Sequence, residues 1–128
     1  MSLHETLQSL KDLVDCFEDL IEKGKLATSS RSTDLISDFI NSVEETVSQA
    51  TSTLEKSREA LRGVKQEDMV FKYASVYYRT LVLVSIPYII NILESASTIL
   101  KNRDHEGEAA KATTLAEKLK NLVDTLKY

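Results

Sequence analysis

One cysteine, one proline and three glycines are spread over 128 residues, and tryptophan is absent. A lone Cys16 excludes an intramolecular disulfide and a thiolate metal cluster, and fits a reducing compartment. With no nearby histidine in the same element, Cys16 reads as a half-buried small apolar residue rather than a nucleophile. The scarcity of glycine and proline leaves little material for the tight turns of a β-sandwich. Aromatic residues make up only 6% against 42% hydrophobic residues, which is the balance of a helical protein with a core of Leu, Val, Ile and Ala. No Gly-rich phosphate loop, zinc-ligand spacing or nucleophile elbow occurs, so no catalytic residue, cofactor site or metal site is expected. The N-terminus lacks a basic stretch followed by an apolar one, so a cytoplasmic chain without a secretory signal is expected. The net charge of −4 argues against a dedicated nucleic-acid binder, because phosphate neutralisation supplies most of that affinity.

What the chain does have is helical periodicity. Leu3, Leu7, Leu10, Val14, Phe17 and Ile21 recur at alternating spacings of four and three, with Ser2 and Glu5 placed as a capping box. This predicts a helix over 3–23, stopped by Gly24, since glycine tolerates the left-handed conformation that ends many helices. The stretch 25–33 reads as a linker, because its Ser and Thr compete for backbone hydrogen bonds. Ser29, Ser30 and Ser32 around Arg31 fit turn and cap chemistry better than phosphorylation sites. Ile36, Ile40, Val43, Val47, Ala50, Leu54, Ser57 and Leu61 carry the same rhythm and predict a second helix over 34–62. A third helix over about 66–101 would be about 54 Å long. A fourth, over 108–127, is seamed by Ala112, Leu115, Leu119, Leu122 and Leu126. Short joints between four amphipathic helices predict one all-α domain, 1–128. Its expected architecture is a coiled-coil-like, up-and-down four-helix bundle with helices 2 and 3 as antiparallel neighbours.

The third helix contains fourteen consecutive uncharged residues, from Thr80 to Leu93. That is short of the about twenty residues a bilayer span needs and fits a buried core helix better. At about 100° per residue, Thr80, Pro87, Asn91, Glu94 and Thr98 fall on one polar edge. A kink is predicted near Leu83 to Pro87, because proline removes the hydrogen bond to the carbonyl four residues back. The remaining arc divides into two apolar sub-faces. One carries Val82, Ile86, Ile89, Ile90 and Leu93; the other carries Leu81, Val84, Tyr88, Ile92 and Ile99. This is more apolar surface than one bundle helix normally buries, which leaves either a central position or an exposed interface.

The second sub-face, with Tyr77, is therefore the candidate interface: Leu81, Val84, Tyr88, Ile92, Ile99 and Tyr77. Self-association into a homo-oligomer, without catalysis, is the expected role. Two further readings remain open. Lys56, Arg58, Arg62 and Lys65 gather at the helix 2–3 turn and form a weak nucleic-acid candidate, although Glu55, Glu59, Glu67 and Asp68 are interleaved with them. A bundle that opens to expose its apolar arc to a peripheral membrane surface is the other. Phe71, Tyr73, Tyr77, Tyr78, Tyr88 and Arg79 form an aromatic cluster, read mainly as boundary packing and otherwise as a ligand-contact surface. Asp12, Asp15, Asp19 and Glu22 fit a solvated acidic face, since a di-metal bundle needs carboxylates from several helices and Glu-x-x-His pairs. His105, in a predicted loop two residues from Arg103, reads as solvated.

Overall fold

The computed structural model describes residues 2–64 and 68–127, and the expected start of the third helix at Gln66 falls outside them. Within them the chain forms four helices: α1, Leu3–Ser30; α2, Thr33–Arg62; α3, Met69–Lys101; and α4, Glu106–Leu126. Each of the first three starts on a short polar side chain that satisfies a free backbone N–H. Ser2 Oγ accepts from Glu5 N at 3.1 Å, Ser32 Oγ from Leu35 N at 3.3 Å, and Asp68 Oδ1 from Val70 N at 2.8 Å.

The first helix differs from its predicted extent. It runs through Gly24 and the Ser/Thr stretch to Ser30, and Arg31 ends it at a φ of 54°. Gly24 is not a stop but a point of close approach. A Cβ placed on it would lie 2.7 Å from Phe39 Cε1 on α2 and 2.8 Å from Ile92 Cγ2 on α3. The Ser/Thr hydroxyls, expected to disrupt the helix, instead bond back to it. Thr28 Oγ1 donates to the Gly24 carbonyl at 2.9 Å, and Ser30 Oγ to that of Ala27 at 3.2 Å. Tertiary packing on both sides of Gly24 thus overrides weak local propensity.

The third helix changes turn type part-way. Leu81–Ser85 is a π-helical turn between α-helical Met69–Thr80 and Ile86–Lys101. Ile86 N–H bonds to the Leu81 carbonyl, five residues back. Pro87 supplies the physical reason, since its ring conflicts with the carbonyl four residues earlier in a regular α-turn. A π turn is therefore what stands at the expected kink. It holds Leu81, Val82 and Ser85 inside the bundle and turns Leu83 and Val84 outward.

The contacts among the four helices are uneven. α1 packs against α2 and α3, α4 packs against α2 and α3, and α2 also meets α3, while α1 and α4 make no direct contact among the described residues. Paired contacts fix the directions. Lys25, late in α1, lies over Tyr88 in the second half of α3. Ser37 Oγ meets Glu108 Oε2 at 2.8 Å where α2 and α4 begin, and Arg58 Nη1 meets the Thr125 carbonyl at 3.1 Å where they end. Helices 2 and 3 are in contact as the short joint suggests, most closely between the end of α2 and the first half of α3.

The core is one cluster drawn from all four helices. It includes Leu10, Phe17, Phe39, Ile40, Leu54, Ile86, Ile89, Leu93 and Leu119. Each such side chain contributes about 1.5–3 kcal/mol when fully buried. One polar group spoils this interior: the Ser57 hydroxyl is fully buried and has no hydrogen-bond partner among the described residues. Leaving it unsatisfied costs about 1–3 kcal/mol. Ser57→Ala is expected to stabilise the bundle by about 1 kcal/mol, read as a higher urea midpoint at an unchanged slope.

Candidate functional site

Among the described residues, the exposed large apolar side chains are Leu26 on α1 and, on α3, Met69, Tyr73, Val76, Leu83, Val84 and Tyr88. The α3 group is not scattered. Met69, Tyr73, Val76, Thr80, Leu83 and Pro87 alternate at intervals of four and three, which aligns them along the outer side of the helix. The π turn places Val84 beside Leu83 on this stripe, and Tyr88 follows Val84 by four. Exposure runs from 41% for Tyr88 to 59% for Val84.

The outer side of α3 therefore has two halves of different chemistry. Before Pro87 it is apolar. Beyond Pro87 it becomes polar, with Asn91, Glu94 and Thr98 exposed as the sequence edge predicts. Lys120 Nζ approaches Glu94 Oε1 at 3.8 Å in the polar half. Where the halves meet, Lys25 Nζ sits 5.4 Å from the centroid of the Tyr88 ring. Such a contact at an exposed site is worth about 0.5–1 kcal/mol and holds the ring against α1.

The six candidate interface residues separate. Val84 and Tyr88 are exposed on the stripe, and Tyr77 and Ile99 are half-buried beside the core. Leu81 and Ile92, at 0% and 6% exposure, belong to the chain's own interior. Ile92 faces Gly24 of α1, so most of the second sub-face is the seam between α1 and α3. The first sub-face, from Val82 to Leu93, is buried throughout. Met69, Tyr73, Val76 and Leu83 are the exposed residues that the sub-face reading leaves out. Their signal is present in the sequence: continued backwards from Thr80, the polar edge passes through three apolar residues.

The basic candidates also separate. Lys56 is exposed on the side of α2 that carries Glu55 and Glu59, and Lys65 lies outside the described residues. Arg58 and Arg62 turn instead towards α3, where they line a cleft with Phe71, Tyr78 and Arg79. Two sequence features read separately, the basic turn and the aromatic cluster, thus share one site. Tyr78 Oη donates to the Leu126 carbonyl at 3.1 Å. Burial pushes its phenol above the usual range, and the charges of Arg58 and Arg62 act in the opposite direction. Arg62 Nη1 also pairs with Glu59 Oε1 at 3.1 Å.

Asp12, Asp15, Asp19 and Glu22 lie exposed along α1, His4 and His105 are exposed, and Cys16 is partly buried. α3 is long and apolar enough to cross a membrane by length and composition alone, but half of its most apolar window is buried inside the bundle. Comparison with known protein families, curated proteins and solved structures found no match to this chain.

Proposed function

We propose that this protein acts by protein–protein interaction rather than catalysis, pairing with a second copy of itself through the apolar outer stripe of α3. The observation that supports this reading is the alignment of Met69, Tyr73, Val76, Leu83, Val84 and Tyr88 on the solvent-facing side of an otherwise well-packed helix. Their combined exposed area is on the order of 700 Å², close to the about 800 Å² each partner contributes to a standard interface. Alternation of four and three is the spacing with which one helix packs along another, and the same stripe on a second copy supplies that pattern. Tyrosine and methionine are also enriched at such surfaces.

Light scattering on the purified chain is expected to give about twice its 14.4 kDa mass. Val76→Asp combined with Leu83→Asp is expected to return the mass to that of one chain with the helical circular dichroism unchanged, since neither side chain is buried. A wild-type monomer at high concentration would overturn the reading. So would flotation of the wild-type chain with anionic liposomes while its mass in solution stays that of one copy, because the stripe would then belong to a membrane surface.

A further inference from the structure

The cleft between the ends of α2 and α4 and the first half of α3 has a composition that the proposed pairing does not use. Arg58 and Arg62 enter from α2 and Arg79 from α3, around a floor that includes Phe71, Tyr78 and Leu126. No carboxylate lines it among the described residues, in a chain whose net charge is −4. Part of this positive charge has a structural use. Arg58 caps the carbonyl of Thr125, and the Tyr78 hydroxyl caps that of Leu126, so the negative end of α4 is already met. Arg79 has no such use: it is exposed and makes no hydrogen bond or ion pair among the described residues. Arg62 is paired with Glu59, which leaves Arg79 as the guanidinium without a carboxylate partner among the described residues, free to meet an anion in the cleft.

The shape and the floor narrow the ligand. The cleft holds about 290 Å³, at the small end of ligand sites, which begin at about 300 Å³. Guanidinium forks match the paired oxygens of a phosphate. The partly buried rings of Phe71 and Tyr78 offer an apolar surface beside the charges, of the kind on which a nucleobase stacks. We infer that this cleft binds a nucleoside phosphate, with the phosphate among Arg58, Arg62 and Arg79 and the base against the Phe71–Tyr78 floor. The ligand is either a free nucleotide or the phosphorylated end of a nucleic-acid strand.

Calorimetric titration of the full chain with adenosine monophosphate, adenosine, inorganic phosphate and a 5′-phosphorylated single-stranded oligonucleotide tests this. The monophosphate is expected to bind at least about tenfold more tightly than adenosine or phosphate alone, because each half of the ligand then adds a contact. Arg79→Glu is expected to weaken binding by about tenfold or more, with Arg79→Lys intermediate and the circular dichroism of both unchanged. Tighter binding of the oligonucleotide than of the monophosphate assigns the ligand to a strand end, and the reverse order assigns it to a free nucleotide. Failure of both to bind at millimolar concentration overturns the inference. So does inorganic phosphate binding as tightly as the monophosphate, or binding that survives Arg79→Glu. Arg79 borders the apolar stripe between Val76 and Leu83, so light scattering on Arg79→Glu, with an expected mass equal to that of the wild type, separates loss of this site from loss of pairing.

Discussion

Ile89→Glu is expected to abolish the cooperative thermal transition of the bundle, whereas the same change at Val84 is expected to leave it intact. The two residues are five apart on one helix and both apolar, yet Ile89 is wholly buried and Val84 is among the most exposed side chains on α3. Glutamate at position 89 forfeits about 1.5–3 kcal/mol of burial and places a carboxyl group inside the apolar core cluster. Desolvation of that group adds several kcal/mol, whether it is met by protonation or by opening the helix. The sum consumes much of the about 5–15 kcal/mol that holds a domain of this size together. Val84→Glu loses no interior contact, so its effect on folding stays within about 0.5 kcal/mol. Its consequence is expected in the solution mass, through a charge on the proposed pairing surface. Thermal melts of both variants followed by circular dichroism, with light scattering on Val84→Glu, check the pair.

Gly24→Ala is expected to destabilise the protein by about 1–3 kcal/mol, the usual penalty for overpacking a filled interior. Helix propensity alone predicts the opposite sign, because alanine is favoured over glycine by about 1 kcal/mol in a helix interior. Geometry decides the outcome. The added methyl would sit within 3 Å of both Phe39 and Ile92, and Phe39 is itself fully buried and unable to withdraw. Gly107, in the first turn of α4, supplies the control: nothing lies within 4 Å of an added Cβ there. Gly107→Ala is accordingly expected to raise stability by up to about 1 kcal/mol. Urea midpoints of the two variants moving in opposite directions would separate packing from propensity at chemically identical substitutions.

Gly24 also shows where sequence reading reaches its limit. Glycine ends a helix by adopting a left-handed conformation and admits a neighbour by lacking a Cβ, and local sequence does not distinguish the two uses. The existence of four helices was legible because their apolar residues repeat with helical spacing over several turns. The polar edge at Asn91, Glu94 and Thr98 was legible for the same reason, and the structure leaves all three exposed. Assigning Leu81 and Ile92 to an interface failed because a helical wheel ranks residues by angle alone. Which angles are covered depends on where α1 and α4 lie, and Gly24 lets α1 approach close to Ile92. The wheel also assumes a constant turn, so it missed the π segment that sets Leu83 and Val84 outward together. The cleft at Arg58, Arg62 and Arg79 depended on α2 and α3 meeting at one end, which spacing along a single helix does not show.

The order in which the helices pack bears on how the chain reaches this state. α1 with α2, and α3 with α4, are two hairpins closed by brief turns, so much of the secondary structure forms through encounters between residues near in sequence. Helical hairpins of this kind assemble on timescales of microseconds to milliseconds. Pairing α1 with α3 and α2 with α4 has to wait until both hairpins exist, because each of those contacts joins one hairpin to the other. The slow step of folding is then expected to be a docking of two preformed halves, with Phe39, Ile92 and the bare backbone of Gly24 closing at the junction.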